Sequence, residues 1–127
     1  MLDYQAPDFL KKGVDLGRWC LYAISTMKLI TKELATKLKA AGYNGTVPIC
    51  KLFTPWGRAT WLITGEEDGI LYGYADLGMG CVEWGGIETA EELESVRGPF
   101  GLTIERDLHW KPTPGMNYAA QETLALA

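Results

Sequence analysis

Four strand-like runs follow one another between residues 47 and 84 with only short breaks, and that spacing restricts the chain to antiparallel pairing. The runs are Val47 to Phe53, Ala59 to Thr64, Ile70 to Asp76 and Cys81 to Trp84. A parallel crossover needs a dozen or more residues. The links here are shorter and carry turn chemistry: Thr54-Pro55-Trp56-Gly57, the acidic Gly65-Glu66-Glu67-Asp68-Gly69, and a stretch holding Gly78 and Gly80. Gly73, inside the third run, predicts a bulge or a close backbone approach. Leu102 to Trp110 reads as a fifth strand.

Two helices flank these runs. Thr31 is placed to N-cap the first, and Ile30, Leu34, Leu38 and Ala41 give it one apolar face. Lys32, Lys37 and Lys39 fall on its wet side, and Gly42 stops it. Thr89-Ala90-Glu91-Glu92 is a capping box for the second, with Leu93 and Val96 facing inward and Gly98-Pro99 as its end. The expected fold is α+β: an antiparallel sheet of about four to five strands with two main helices, in a single domain, as 127 residues suggest. That domain is expected over residues 27–115. Residues 1–26 read as an N-terminal extension, where Gly13 and Gly17 break any pattern around Phe9, Leu10, Val14 and Trp19. Residues 116–127 read as a tail, loop after Pro112 and Pro114 and then a short helix from Gln121 to Leu126.

Composition excludes several classes. No apolar run approaches the ~20 residues of a spanning helix, and no basic residue precedes Asp8, so a cytoplasmic protein without membrane contact is expected. Cys20, Cys50 and Cys81 are odd in number, and no C-x-x-C occurs, which points to reduced, buried thiols rather than a zinc or redox motif. Net charge is −4, unevenly placed. Residues 1–63 carry nine Lys/Arg against four Asp/Glu, and residues 64–127 carry three against twelve. The two halves either neutralise each other by packing or leave a two-faced surface.

The segment Glu105-Arg106-Asp107-Leu108-His109-Trp110 is the first place to seek chemistry. In a strand, Glu105, Asp107 and His109 share one face, and Ile104, Arg106, Leu108 and Trp110 the other. Two carboxylates beside the lone histidine suit a divalent metal or an acid–base pair. A solvated outer face opposite an apolar inner one explains the same alternation and is the plainer reading. One strand supplies too few ligands for a closed metal site, so no metal, cofactor or catalytic residue is assigned. Arg106, on the apolar side, needs a carboxylate such as Glu94 or Glu83, or carbonyls. Arg97 fits the end of a helix dipole. Trp56, Trp61, Tyr72, Tyr74 and Trp84, with Lys51 and Arg58, resemble a base-stacking sheet face, although core and cross-strand packing is the plainer reading. No phosphate-loop, dinucleotide, zinc-protease or serine-elbow motif is present.

Several segments together are similar to the domain of unknown function 2958 family. They are Met27-Lys28-Leu29-Ile30-Thr31-Lys32-Glu33-Leu34, Lys51-Leu52-Phe53-Thr54-Pro55, Thr60-Trp61, Gly73-Tyr74 and, most specifically, Glu92-Leu93-Glu94-Ser95-Val96-Arg97-Gly98-Pro99-Phe100-Gly101-Leu102 running on through Ile104 to Leu108 and Pro112. The resemblance implies a short accessory protein of a bacterial plasmid, phage or conjugative element, with no established activity or catalytic residues. In members it resembles, the His109 position is often aromatic, which argues against histidine chemistry. The resemblance begins near residue 27, so Met27 is expected as the natural start. The function expected is non-enzymatic binding of a host or element-encoded protein, with antagonism of host restriction or CRISPR defence as its most concrete form. Arg97, Glu105, Arg106, Asp107, Trp61, Glu91 and Glu94 are the expected binding residues. A small hydrolase using Glu105, Asp107 and Arg106, or single-stranded nucleic-acid binding, are the alternatives; nucleic acid is not the favoured partner.

Overall fold

The computed structural model describes residues 28–124, so the reading of residues 1–26 as an extension lies outside the described residues. Helix α1 spans Lys32–Ala41. Thr31 caps it, its hydroxyl accepting from the Leu34 N–H at 3.2 Å, and Gly42 ends it at φ 64 while donating to the Leu38 carbonyl. Strands β1 (Cys50–Phe53), β2 (Thr60–Glu67), β3 (Ile70–Asp76) and β4 (Glu83–Thr89) follow. Then come helix α2 (Ala90–Ser95) and strand β5 (Glu105–Arg106). The five strands form one antiparallel sheet in the order β4-β3-β2-β1-β5. The protein is a single α+β domain.

Several boundaries move from those expected. Asp68 and Gly69 both have positive φ, at 52° and 83°. That is the geometry of a two-residue type I′ hairpin, so β2 runs on to Glu67 and the acidic turn shrinks to an Asp-Gly pair. β4 is longer than Cys81 to Trp84 and feeds straight into the Thr89 cap. α2 stops at Ser95, because Val96 is already extended, two residues before Gly98. Gly73 behaves as expected: a β-carbon there would lie 2.1 Å from the Leu62 carbonyl oxygen, and β2 carries a bulge between Ile63 and Gly65.

β2 is buried on both faces. On one side α1 and α2 cover Cys50, Leu52, Trp61, Ile63, Leu71 and Ile104 through Leu38 and Leu93. On the other, Leu62 and Tyr74 pack against Tyr118 and Leu124, with Trp110 and Met116 beside them. The stretch expected to be a loop and tail therefore forms the second layer as far as Leu124, which is fully buried. Among the described residues its helical turn is a 3-10 turn at Tyr118–Ala120, and Gln121 to Leu124, expected to begin a helix, are not helical. Burying a leucine contributes about 1.5–3 kcal/mol, a strong reason for the chain to fold back here.

Cys50 is buried, and burial pushes its thiol up to about 12 against a smaller downward pull from Arg106. Cys81, expected to be buried, is exposed. Among the described residues no helix is long and apolar enough to cross a membrane.

Candidate functional site

The segment singled out for chemistry does not form the expected strand. β5 ends at Arg106, and the Asp107 carboxylate accepts the His109 N–H at 3.0 Å. This side-chain turn competes with sheet pairing and folds the chain away from the sheet after Asp107. Leu108 is consequently 72% exposed rather than facing inward, and His109 is exposed beside it. Glu105 is exposed at the sheet edge opposite Phe53, whereas Arg106 pairs with Leu52 and points to the helix-covered face. Arg106 and the two acids therefore do not converge.

Arg106 meets a carbonyl, as one of its two expected kinds of partner. Its guanidinium donates to the Leu29 oxygen, and Glu94 accepts the Leu29 N–H at 2.9 Å. Both backbone polar groups of Leu29, three residues ahead of α1, are thus held from distant parts of the chain. Arg97 donates to the carbonyls of Glu94 and Val96, closing the end of α2 as a cation there should. Trp61 is 9% exposed, inside the core, and offers no binding surface. Of the expected binding residues, Glu91, Arg97 and Glu105 are exposed, Asp107 is half-buried at a cleft, and Glu94 and Arg106 are occupied with Leu29.

A feature not anticipated from sequence lies just past α2. Gly98 donates to the Leu102 carbonyl at 2.7 Å, and Leu102 donates to Pro99 at 3.1 Å, closing a tight loop. Phe100 stands at its tip, fully exposed (102%), with φ 59 and ψ 23. A left-handed backbone costs a non-glycine residue roughly 1–2 kcal/mol. Val96 and Leu102 at the loop's base are also exposed. The loop is supported from beneath by Trp56, whose indole fills the space a Gly98 β-carbon would need. Gly98 and Gly101 were the available sequence signal, but Gly98 with Pro99 read simply as a helix stop.

The second face of the sheet is divided. Its apolar half is covered by the C-terminal stretch, and its polar half is an open cleft of about 660 Å³. Lys51, Phe53 and Thr60 line the cleft from the strands, Gly57 to Ala59 and Gly78 to Gly80 from two loops, with Asp76, Asp107 and Thr123 beside them. Asp76 is 4% exposed and accepts from Gly78 N–H, the Thr123 hydroxyl and Leu124 N–H, at 2.8, 2.8 and 3.0 Å. Burial pushes its carboxyl up, but these three donors outweigh burial and leave it below its ordinary value.

The aromatics weighed as a stacking face are dispersed, and packing accounts for most of them. Trp61 and Tyr74 are buried, Trp56 supports Gly98, and Tyr72 stacks on exposed Trp84 at 6.0 Å with Tyr43 alongside. Among the described residues, no group of three or more His, Cys, Asp or Glu side chains is arranged to hold a metal ion.

Residues 23–124 match the family model described as Protein of unknown function (DUF2958). The chain belongs to this family. No curated protein and no solved structure matches it. The DUF2958 match takes in Thr123 and Leu124, the partners of Asp76, and so includes the second layer over the sheet as well as the Gly98–Leu102 loop. In this DUF2958 chain, the end of β4 and the first turn of α2 also carry the exposed acids Glu88, Glu91 and Glu92. Glu88 and Glu92 share a hydrogen bond; it raises the Glu88 carboxyl and lowers that of Glu92.

Proposed function

We propose that the protein acts by binding another protein, with Phe100 as the anchor and the β4–α2 acids as its charged rim. The observation that carries this reading is the exposed, left-handed Phe100 on a loop held by Trp56. A bulky side chain in that conformation is strained and gains nothing from burial in its own fold, and such strain clusters at functional positions. Exposed aromatics inside a charged rim are the common anatomy of a recognition patch. The partner is a protein with an apolar socket bordered by Lys and Arg, which the Glu88, Glu91 and Glu92 strip complements.

Basic borders of this kind surround nucleic-acid channels. The most concrete form of the proposal is therefore a cytoplasmic accessory protein of a plasmid or phage that covers such a channel in a host restriction or CRISPR defence. The family resemblance motivates the mobile-element setting, and the acidic strip motivates the target. The hydrolase alternative finds less support, because Arg106 is turned away from Glu105 and Asp107 and held on Leu29.

A photo-crosslinking amino acid installed at position 100, and separately at the apolar and likewise exposed Leu108, tests the reading in host cells. The expected result is one protein adduct formed from position 100 and absent from position 108. No adduct, or the same adducts from both positions, would overturn it.

A further inference from the structure

The cleft on the second face is lined by none of the Phe100 loop residues and is not used by the binding reading above. We propose that it binds a phosphorylated small molecule of mononucleotide size, with Lys51 and Arg58 holding the phosphate. Its volume of about 660 Å³ suits such a ligand, since small-molecule sites run to roughly 300–1,000 Å³. Among the described residues the ion pairs are Lys37–Glu33 and Lys39–Glu66, so both cleft cations are uncommitted. A phosphate monoester carries close to two negative charges near neutral pH, which matches two cations better than a carboxylate does.

Arg58 is held in place although it is exposed. A β-carbon on Gly78 would stand 2.9 Å from the Arg58 β-carbon, so the arginine stem packs on bare backbone at a residue whose φ is 83. The stem thereby ties the β1–β2 turn to the β3–β4 loop across the cleft. An arginine fixed in this way loses little freedom on gripping a phosphate.

Neither acid of the cleft forms an ion pair with these cations. Both oxygens of Asp76 are taken by its three donors. Asp107 gives one oxygen to the His109 N–H and keeps the other for a ligand hydroxyl, as a ribose would supply. Phe53, half-buried among the lining residues, offers an aromatic surface to a base.

Isothermal titration of AMP into the full-length protein at low salt tests the proposal, with adenosine and ribose 5-phosphate as comparison ligands. The expected result is saturable AMP binding, at least about tenfold tighter than either comparison ligand. Lys51→Gln and Arg58→Gln, each checked for an unchanged Tm, should weaken it by about tenfold or more, while Phe100→Gly leaves it unaltered. No AMP binding at millimolar concentration, adenosine or ribose 5-phosphate binding as tightly as AMP, or indifference to both Gln substitutions would overturn it. Because Phe100→Gly separates the two sites, failure here leaves the protein-binding reading standing, and the reverse also holds.

Discussion

The indole of Trp56 stands where Gly98 would carry a β-carbon, with Cδ2 only 2.3 Å from that position. This contact joins the β1–β2 turn to the foot of the Phe100 loop, two segments more than forty residues apart in the chain. Gly98→Ala must therefore push the indole or the loop aside. The expected cost is about 1–3 kcal/mol of stability, typical of an overpacked site, measured by urea denaturation. Trp56→Leu combined with Gly98→Ala should recover part of that loss. Equal stability of Gly98→Ala and wild type would show that the loop does not rest on Trp56.

The Asp76 clamp gives a pH-dependent prediction. Its folded carboxyl is depressed, because three hydrogen bonds outweigh the opposing effect of burial. A depressed carboxyl contributes stability that is complete above its unfolded pKa and disappears as pH falls through the folded value. Asp76→Asn should cost about 2 kcal/mol at pH 7, since hydrogen bonds to a charged acceptor are lost. The gap from wild type should close as pH drops through and below the ordinary carboxylate range. A gap of the same size at pH 7 and pH 2.5 would contradict the clamp.

Gly73 faces the Leu62 carbonyl so closely that a methyl group would overlap backbone. Backbone cannot swing aside as a long side chain can. Gly73→Ala is expected to lower stability by about 3 kcal/mol, at the upper end for overpacking. Gly85→Ala on the neighbouring strand, where nothing lies within 4 Å, should cost under about 1 kcal/mol and serves as the control.

Leu29 is gripped at both polar groups, by Glu94 at its N–H and Arg106 at its carbonyl. Arg106→Met keeps much of the stem and removes the donor, at an expected cost of about 1.5–3 kcal/mol. Hydrogen exchange at the Leu29 amide should quicken in Glu94→Ala, in which its acceptor is gone. Unchanged exchange there would mean that the contact does not restrain the approach to α1.

Legibility in the sequence followed the range of the interactions. Both helix starts were readable because Thr31 and Thr89 bond within three residues of themselves. The third strand was readable because its turns are local. β5 was overread: a single Asp107 side chain, accepting from His109, ends a pattern that alternates well on paper. The second layer was missed because its main tie, from Asp76 to Thr123 and Leu124, spans 47 and 48 residues. Phe100 was missed for a conformational reason. Nothing in a phenylalanine announces a left-handed backbone, and the flanking glycines admitted a simpler role. Lys51 and Arg58 were marked for a stacking face that does not exist as one surface, yet they share a cleft.

The most direct test of the account compares tagged wild type with Phe100→Gly, both expressed in the host and purified with quantitative mass spectrometry of associated proteins. Glycine relieves the left-handed strain, so the variant should have a Tm equal to or above that of wild type. The account predicts that this equally stable variant loses a partner that wild type retains, by about tenfold or more in recovered amount. Identical partners in identical amounts from both proteins would contradict it.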